Sequence, residues 1–421
     1  MNVFFPLAKY AAEHWITHAH SGSKEKSQSS FVFALMIKLL ADENAAFLNW
    51  VRLCDIDHFY LMDLQKHRVK IAQALYYASM AGFIEASCSL LEMGADVNAK
   101  GGRYGNALQA ALNGGYEAIA KLLIEKGADV DAKGGFYGNA LQAASNGGYE
   151  SIAKLLIEKG ANINAWGGHY GNALQAASDG GHKTIAKMLI EKGADVNAQG
   201  GAYRNALQAA SNQGHEAIVN LLIEKDADVN AQGGTYGNAL QAASNEGHEA
   251  IANLLIEKGA DVNAQGGIHG NALQAASNQG HEAIANLLIE KGADVNAQGG
   301  IHGNALQAAS YRGRDVIASL LIEKGADIND KRGKDGNALQ AASIGGHEVI
   351  SRLLIKKGVD VNTQGGTYGN ALQAASNGGH EAIAKLLIEQ GADVNAQVGY
   401  YGNALQAASN QGHEAIAKML I

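Results

Sequence analysis

Proline is nearly missing from this chain: Pro6 is the single one among 421 residues. Long stretches are therefore free to be helical, since proline is the residue that most strongly breaks a helix interior. Cysteine is equally scarce. Cys54 and Cys88 are too few and too isolated for a disulfide framework or a zinc site, and no Asn-x-Ser/Thr acceptor occurs. Both absences predict a reducing, cytoplasmic setting. The longest apolar run, residues 31–37, falls far below the roughly 20 residues a membrane span needs, and the first five residues lack the basic start of a signal peptide. No Gly-x-x-x-x-Gly-Lys-Ser/Thr loop is present to cradle a triphosphate. Excess positive charge is missing too. Residues 101–421 carry 24 Lys and Arg against 31 Asp and Glu, a net of −7 of the chain's −8, which argues against nucleic acid as a general partner.

What the chain has in abundance is repetition. Asn-Ala-Leu-Gln-Ala-Ala begins at Asn106 and recurs at Asn139, Asn172, Asn205, Asn238, Asn271, Asn304, Asn337, Asn370 and Asn403, always 33 residues apart. Gln73 holds the same phase one period earlier, so eleven units are expected. A fixed period of this length signals stacked supersecondary units instead of one globular core. Within one unit, Asn139 is placed to cap a first helix, and Gly147-Gly148 to end it. A second helix is expected from about Tyr149-Glu150, with Ile152, Ala153, Leu155 and Leu156 forming an apolar stripe of helical period and Gly160 closing it. The remaining Asx and glycine residues are turn chemistry and predict a hairpin-like loop. Each unit therefore reads as helix, tight turn, helix and loop, in an all-α solenoid.

These residues resemble the ankyrin repeat from about residue 70 to 421, including Gly-Ala-Asp-Val-Asn-Ala at 193–198 and 259–264. The family's Thr-Pro-Leu-His is here Asn-Ala-Leu-Gln. Asn replaces Thr as cap, the proline's preset backbone angle is lost, and Gln must remake whatever bonds the family's His makes. The resemblance implies a non-catalytic scaffold that binds protein partners through its loops and the adjoining first-helix face. Residues 1–69 form a separate preface, expected to be helical, with Leu7, Ala11 and Trp15 on one stripe and Ser21 to Ser30 as a polar linker. Residues 6–15, 47–50 and 75–79 resemble the segment that joins a NACHT module to the ankyrin array in fungal NLR-like signalling ATPases. That likeness implies the sensing end of an intracellular receptor, with a STAND-type ATPase module or a purely structural spacer as alternatives. The chain is accordingly expected to be a C-terminal portion, with Ile416 and Leu420 left uncovered at its end.

Candidate chemistry is thin. Histidine recurs at the start of the second helix (His182, His215, His248, His281, His347, His380 and His413), but layers roughly 8–10 Å apart cannot share an ion that needs ligands at about 2 Å. A packing role is expected there, with no metal and no cofactor. No nucleophile stands beside a base, so no enzyme is expected. Two features are candidates for protein binding. The first is the residue two before the capping Asn, aromatic in Tyr104, Tyr137, Tyr170, Tyr203, Tyr236, Tyr368 and Tyr401 but replaced by His269, His302 and Asp335. It is expected to sit in an exposed loop, either as a recognition column or as rings that stack and stiffen the array. The residue before it varies freely, from Arg103 to Tyr400. The second is a basic island, Arg312, Arg314, Lys331, Arg332, Lys334, Arg352, Lys356 and Lys357, which predicts an acidic partner near residues 311–357.

Overall fold

The computed structural model describes residues 74–421, so the helical preface expected over 1–69 lies outside the described residues. Those described residues form 22 helices in eleven consecutive pairs and no extended strand. The chain divides into two compact units between Ala206 and Leu207. In the first, the pairs run from Ala74–Met80 with Ile84–Glu92 to Ala173–Gly180 with Lys183–Glu191; in the second, they end at Ala404–Gln411 with Glu414–Met419.

The sequence accounts for each boundary of a pair. Asn139 is extended (φ −155°, ψ 177°), and its side chain accepts the Gln142 backbone N–H at 2.9 Å. The Gln142 Oε1 accepts the Asn139 N–H at 3.0 Å in return, so two otherwise orphaned donors are satisfied reciprocally. The fourth residue of the motif, Gln142, is thus part of the cap, which is how Asn manages without the following proline. Gly148 ends the helix at φ +77°, in the left-handed region, and a side chain there would also collide with the His182 ring. The second helix, Glu150–Glu158, has no side-chain cap; Glu150 instead places its carboxylate at the positive end of the helix dipole.

The packing asymmetry read from the sequence is also present. First helices bring Ala143, Ala144 and Leu141 into a close layer, while Ile152, Ala153 and Leu156 of the second helix are buried behind them. Full burial of a leucine such as Leu156 contributes about 1.5–3 kcal/mol, and one pair alone offers nothing to cover it; the next pair does. The chain's end departs from expectation. Ile416 is fully buried, because it packs back on the preceding pair and not towards a following one, whereas Ile421 is 94% exposed. Leu420 lies between those extremes.

Candidate functional site

The loops close in tight tips, nine of them pinned by an isolated antiparallel bridge such as Gly134 to Gly138 and Gly167 to Gly171. Three side chains per repeat tie one helix pair and its loop to the next. The Gln142 amide donates to the carbonyls of Ala165 (3.1 Å) and Gly171 (3.0 Å), gripping both sides of the following tip. Asn164 donates to the Gly193 carbonyl and accepts from the Asp195 N–H, at 3.0 and 2.9 Å. The third is histidine: His182 Nε2 meets the Asn146 carbonyl at 2.8 Å, and His248, His281, His347, His380 and His413 repeat that contact. The histidine column therefore has the packing role expected of it, with a specific acceptor added. Among the described residues no group of three or more His, Cys, Asp or Glu is placed to hold a metal.

The tips themselves form a backbone ladder. Phe136 N–H donates to the Arg103 carbonyl at 3.0 Å, His169 to Phe136 at 2.8 Å and Ala202 to His169 at 2.9 Å. In the second unit Ile268 bonds Thr235, Ile301 bonds Ile268, and Thr367 bonds Lys334. Side chains of this freely varying column point outward; Ile301, for example, is 51% exposed.

The tyrosine column behaves differently from its expected exposure. Tyr104, Tyr137, Tyr170, Tyr203, Tyr236, Tyr368 and Tyr401 are half-buried, and stacked neighbours within a unit shield one another. Tyr104 and Tyr137 stack at 6.0 Å, Tyr137 and Tyr170 at 6.1 Å, Tyr368 and Tyr401 at 6.4 Å. Burial pushes the Tyr137 and Tyr170 hydroxyls up to about 12, with neighbouring tyrosines adding to the effect. Where the column changes type, the stack is replaced by polar groups. His302 Nδ1 lies 3.6 Å from the Asp335 carboxylate, and the His302 ring leans on Tyr311 at 4.8 Å. Burial holds His269 below the ordinary histidine value, and the nearby His302 and Arg312 push the same way.

The basic island is dispersed by the fold, since residues close in sequence fall on different parts of a pair. Arg314 occupies the histidine position and sends its Nε to the Asn278 carbonyl at 3.4 Å. Arg312 donates to Asn278 Oδ1 at 3.0 Å and lies over the Tyr311 ring. Arg332 forms a two-pronged pair with Asp330, at 3.0 and 2.7 Å, which holds that carboxyl below the usual range. Arg352 pairs with Glu348 on a second helix, and Lys356 and Lys357 end that same helix. Lys331, Arg332 and Lys334 are exposed at a tip, and of these Arg332 is already paired with Asp330.

Several residues that matter here were not singled out by the sequence reading. Asp330 is one: its buried carboxylate also accepts from Gln298 at 2.7 Å and Asn304 at 3.4 Å. Trp166, 67% exposed, and Arg204, at φ +77°, are others. Each breaks a 33-residue column, Asp among Ala, Trp among Lys and Gln, Arg among Gly, and that break is a signal readable without coordinates.

Stacked helix pairs joined by bonded tips define an ankyrin solenoid. A family model described as ankyrin repeats in three copies matches residues 107–200, 199–266, 267–332, 306–398 and 340–421, and the chain belongs to that family. One relative is azaphilone pigments biosynthesis cluster protein L of Monascus ruber, 36% identical over 123 residues. The match spans 27% of this chain and 25% of the relative.

Proposed function

We propose that this array is a protein-recognition scaffold whose contacts are made by the tips and the adjoining first helices, centred on repeats 271–370. One observation carries the reading: within a uniform, internally bonded frame, the tip column is both exposed and free to vary, from Ala202 to Tyr400. Conserving the frame while varying the exposed position is what a recognition surface requires. Ile268, Ile301, His269, His302, Asp335 and Arg312 supply the chemical departures in that region, and the exposed Lys331 and Lys334 suit an acidic partner. Such an interaction weakens with salt because exposed charges are screened. The likeness of residues 6–15, 47–50 and 75–79 to NACHT-associated segments supports a finer reading, in which this array is the sensing region of an NLR-like receptor.

The test places a photo-reactive amino acid at position 301 and identifies what it captures. Binding of that partner is then measured with Lys331→Glu/Lys334→Glu, leaving the internally bonded Arg314 and Arg332 intact. Weaker binding by about tenfold supports the site. Unchanged affinity rejects it. A transcript whose upstream coding region lacks a phosphate-binding loop rejects the receptor reading while leaving the scaffold standing.

A further inference from the structure

The first unit carries a feature that the second does not share. Its four tips, residues 99–106, 132–139, 165–172 and 198–205, contain no Asp or Glu and four cations: Lys100, Arg103, Lys133 and Arg204. All four are exposed, and none has an ion-pair partner among the described residues. Between them runs a row of planar groups. The Arg103 guanidinium lies 5.5 Å from the Phe136 ring centre, and Phe136 stacks on His169 at 5.0 Å with 15° between the planes. Tyr170 meets both rings edge-on, at 6.0 and 5.0 Å, and so fixes their tilt. The row then stops, because the next rung of the ladder is Ala202, bonded through its N–H to the His169 carbonyl and offering only a methyl group.

Trp166 borders this step. Its indole nitrogen lies so close to Gly200 that any side chain there would collide with it, which sets the indole beside the tip that carries Ala202. Two-thirds of the Trp166 surface nonetheless faces solvent. An exposed tryptophan held against backbone, next to an open ring face, has the composition of a binding hot spot.

We infer that the step above Ala202, between His169 and Trp166, is a docking slot for an aromatic side chain in an acidic segment of a protein partner. The planar guest continues the stack that Arg103, Phe136 and His169 begin. Carboxylates on either side of it meet Arg204 and Lys133, which have no acidic neighbour in these tips. A cationic segment is disfavoured by the same four charges. The inference rests on the reading of the array as a protein-binding scaffold, but it uses residues of the first unit alone.

The probe is an acetylated pentapeptide of two glutamates, one phenylalanine and two glutamates, titrated by fluorescence anisotropy into the full chain. Two control peptides replace the phenylalanine by alanine or the glutamates by lysine. Saturable binding of the probe, weaker by about tenfold for either control, is expected. Ala202→Tyr fills the slot from within and should weaken the probe by a similar factor; the same column already holds Tyr400, so the substitution suits the fold. Arg204→Glu should do likewise, whereas Lys331→Glu/Lys334→Glu should leave probe binding unchanged. Failure of the probe to bind, or equal binding by Ala202→Tyr with an unaltered circular dichroism spectrum, overturns the slot. Equal binding of the lysine peptide overturns its charge preference. Loss of probe binding in the Lys331/Lys334 variant assigns the acidic segment to the second unit and overturns the slot as its site, while the scaffold reading survives.

Discussion

The tips of the two units rest on the same frame and differ almost wholly in what covers it. From Arg103 to His169 the tips carry planar groups stacked on one another beside a half-buried tyrosine row. From Ile268 to Asp335 the outer column is Ile268, Ile301 and Lys334 and the inner one is His269, His302 and Asp335. Underneath, Gln142 and Gln274 make the same bonds to the following tip. The difference teaches that the bonds holding the repeats together and the residues displayed outward occupy separate columns of the repeat. One can change without disturbing the other.

The sharpest way to break the comparison is to attack what the two regions share. Gln142→Ala and Gln274→Ala each remove a buried side chain that caps its own helix and donates to the next tip. Each should cost about 2–4 kcal/mol in urea unfolding, since several buried partners lose their bonds at once. Equal costs confirm a common frame, and a cost confined to one unit would show that the frames differ.

The second test separates the regions by pH. The Tyr137 and Tyr170 hydroxyls, held at about 12 against an ordinary 10.0, contribute stability fully below pH 10 and lose it as pH rises towards 12. His269, held below its ordinary 6.5, contributes fully above that value and loses its contribution as pH falls below it. Hydrogen exchange should therefore rise first around residues 136–171 in alkali and around 268–303 in mild acid. His269→Tyr should remove the acid sensitivity and leave the alkaline one.

Legibility from sequence follows the same division. Caps, turns and the apolar stripe of each pair were readable because their partners lie within a few residues, as Asn139 and Gln142 do. The bonds of Gln142, Asn164 and His182 run across 23 to 36 residues. A periodic pattern shows that such residues recur but not which neighbour they face. The tyrosine column looked exposed because a loop position is usually so, and only the repeat spacing turned its rings into mutual cover. The basic island looked like one site because sequence proximity hides the separation of tip, first helix and second helix.

Smaller effects sharpen the picture within the frame. Asp226 sits at φ +62° where other units have glycine, so Asp226→Gly should raise stability by about 0.5–1 kcal/mol in thermal unfolding. Asp131 stands where Asn98 and Asn164 donate to the Gly127 and Gly193 carbonyls, a bond no carboxylate can make. Asp131→Asn should add about 0.5 kcal/mol by the same measurement. Arg332→Ala should destabilise by stranding the buried Asp330, and Asp330→Ala/Arg332→Ala should restore most of the loss, because alanine is the usual residue at position 330.

The fixed span of the tip-gripping bonds has a consequence for how such a gene can change length. Gln208 holds Ala231 and Gly237, and Gln241 holds Ala264 and Gly270, by equivalent bonds. Excising 33 residues between them would hand Gln208 the partners of Gln241, residue for residue, and leave no orphaned donor. Unequal crossing-over between such similar coding segments is therefore tolerated at the level of the folded chain. It adds or deletes one residue of the varying tip column at a time, so the series of tip residues can be edited like a string of letters while the frame that displays them is remade intact.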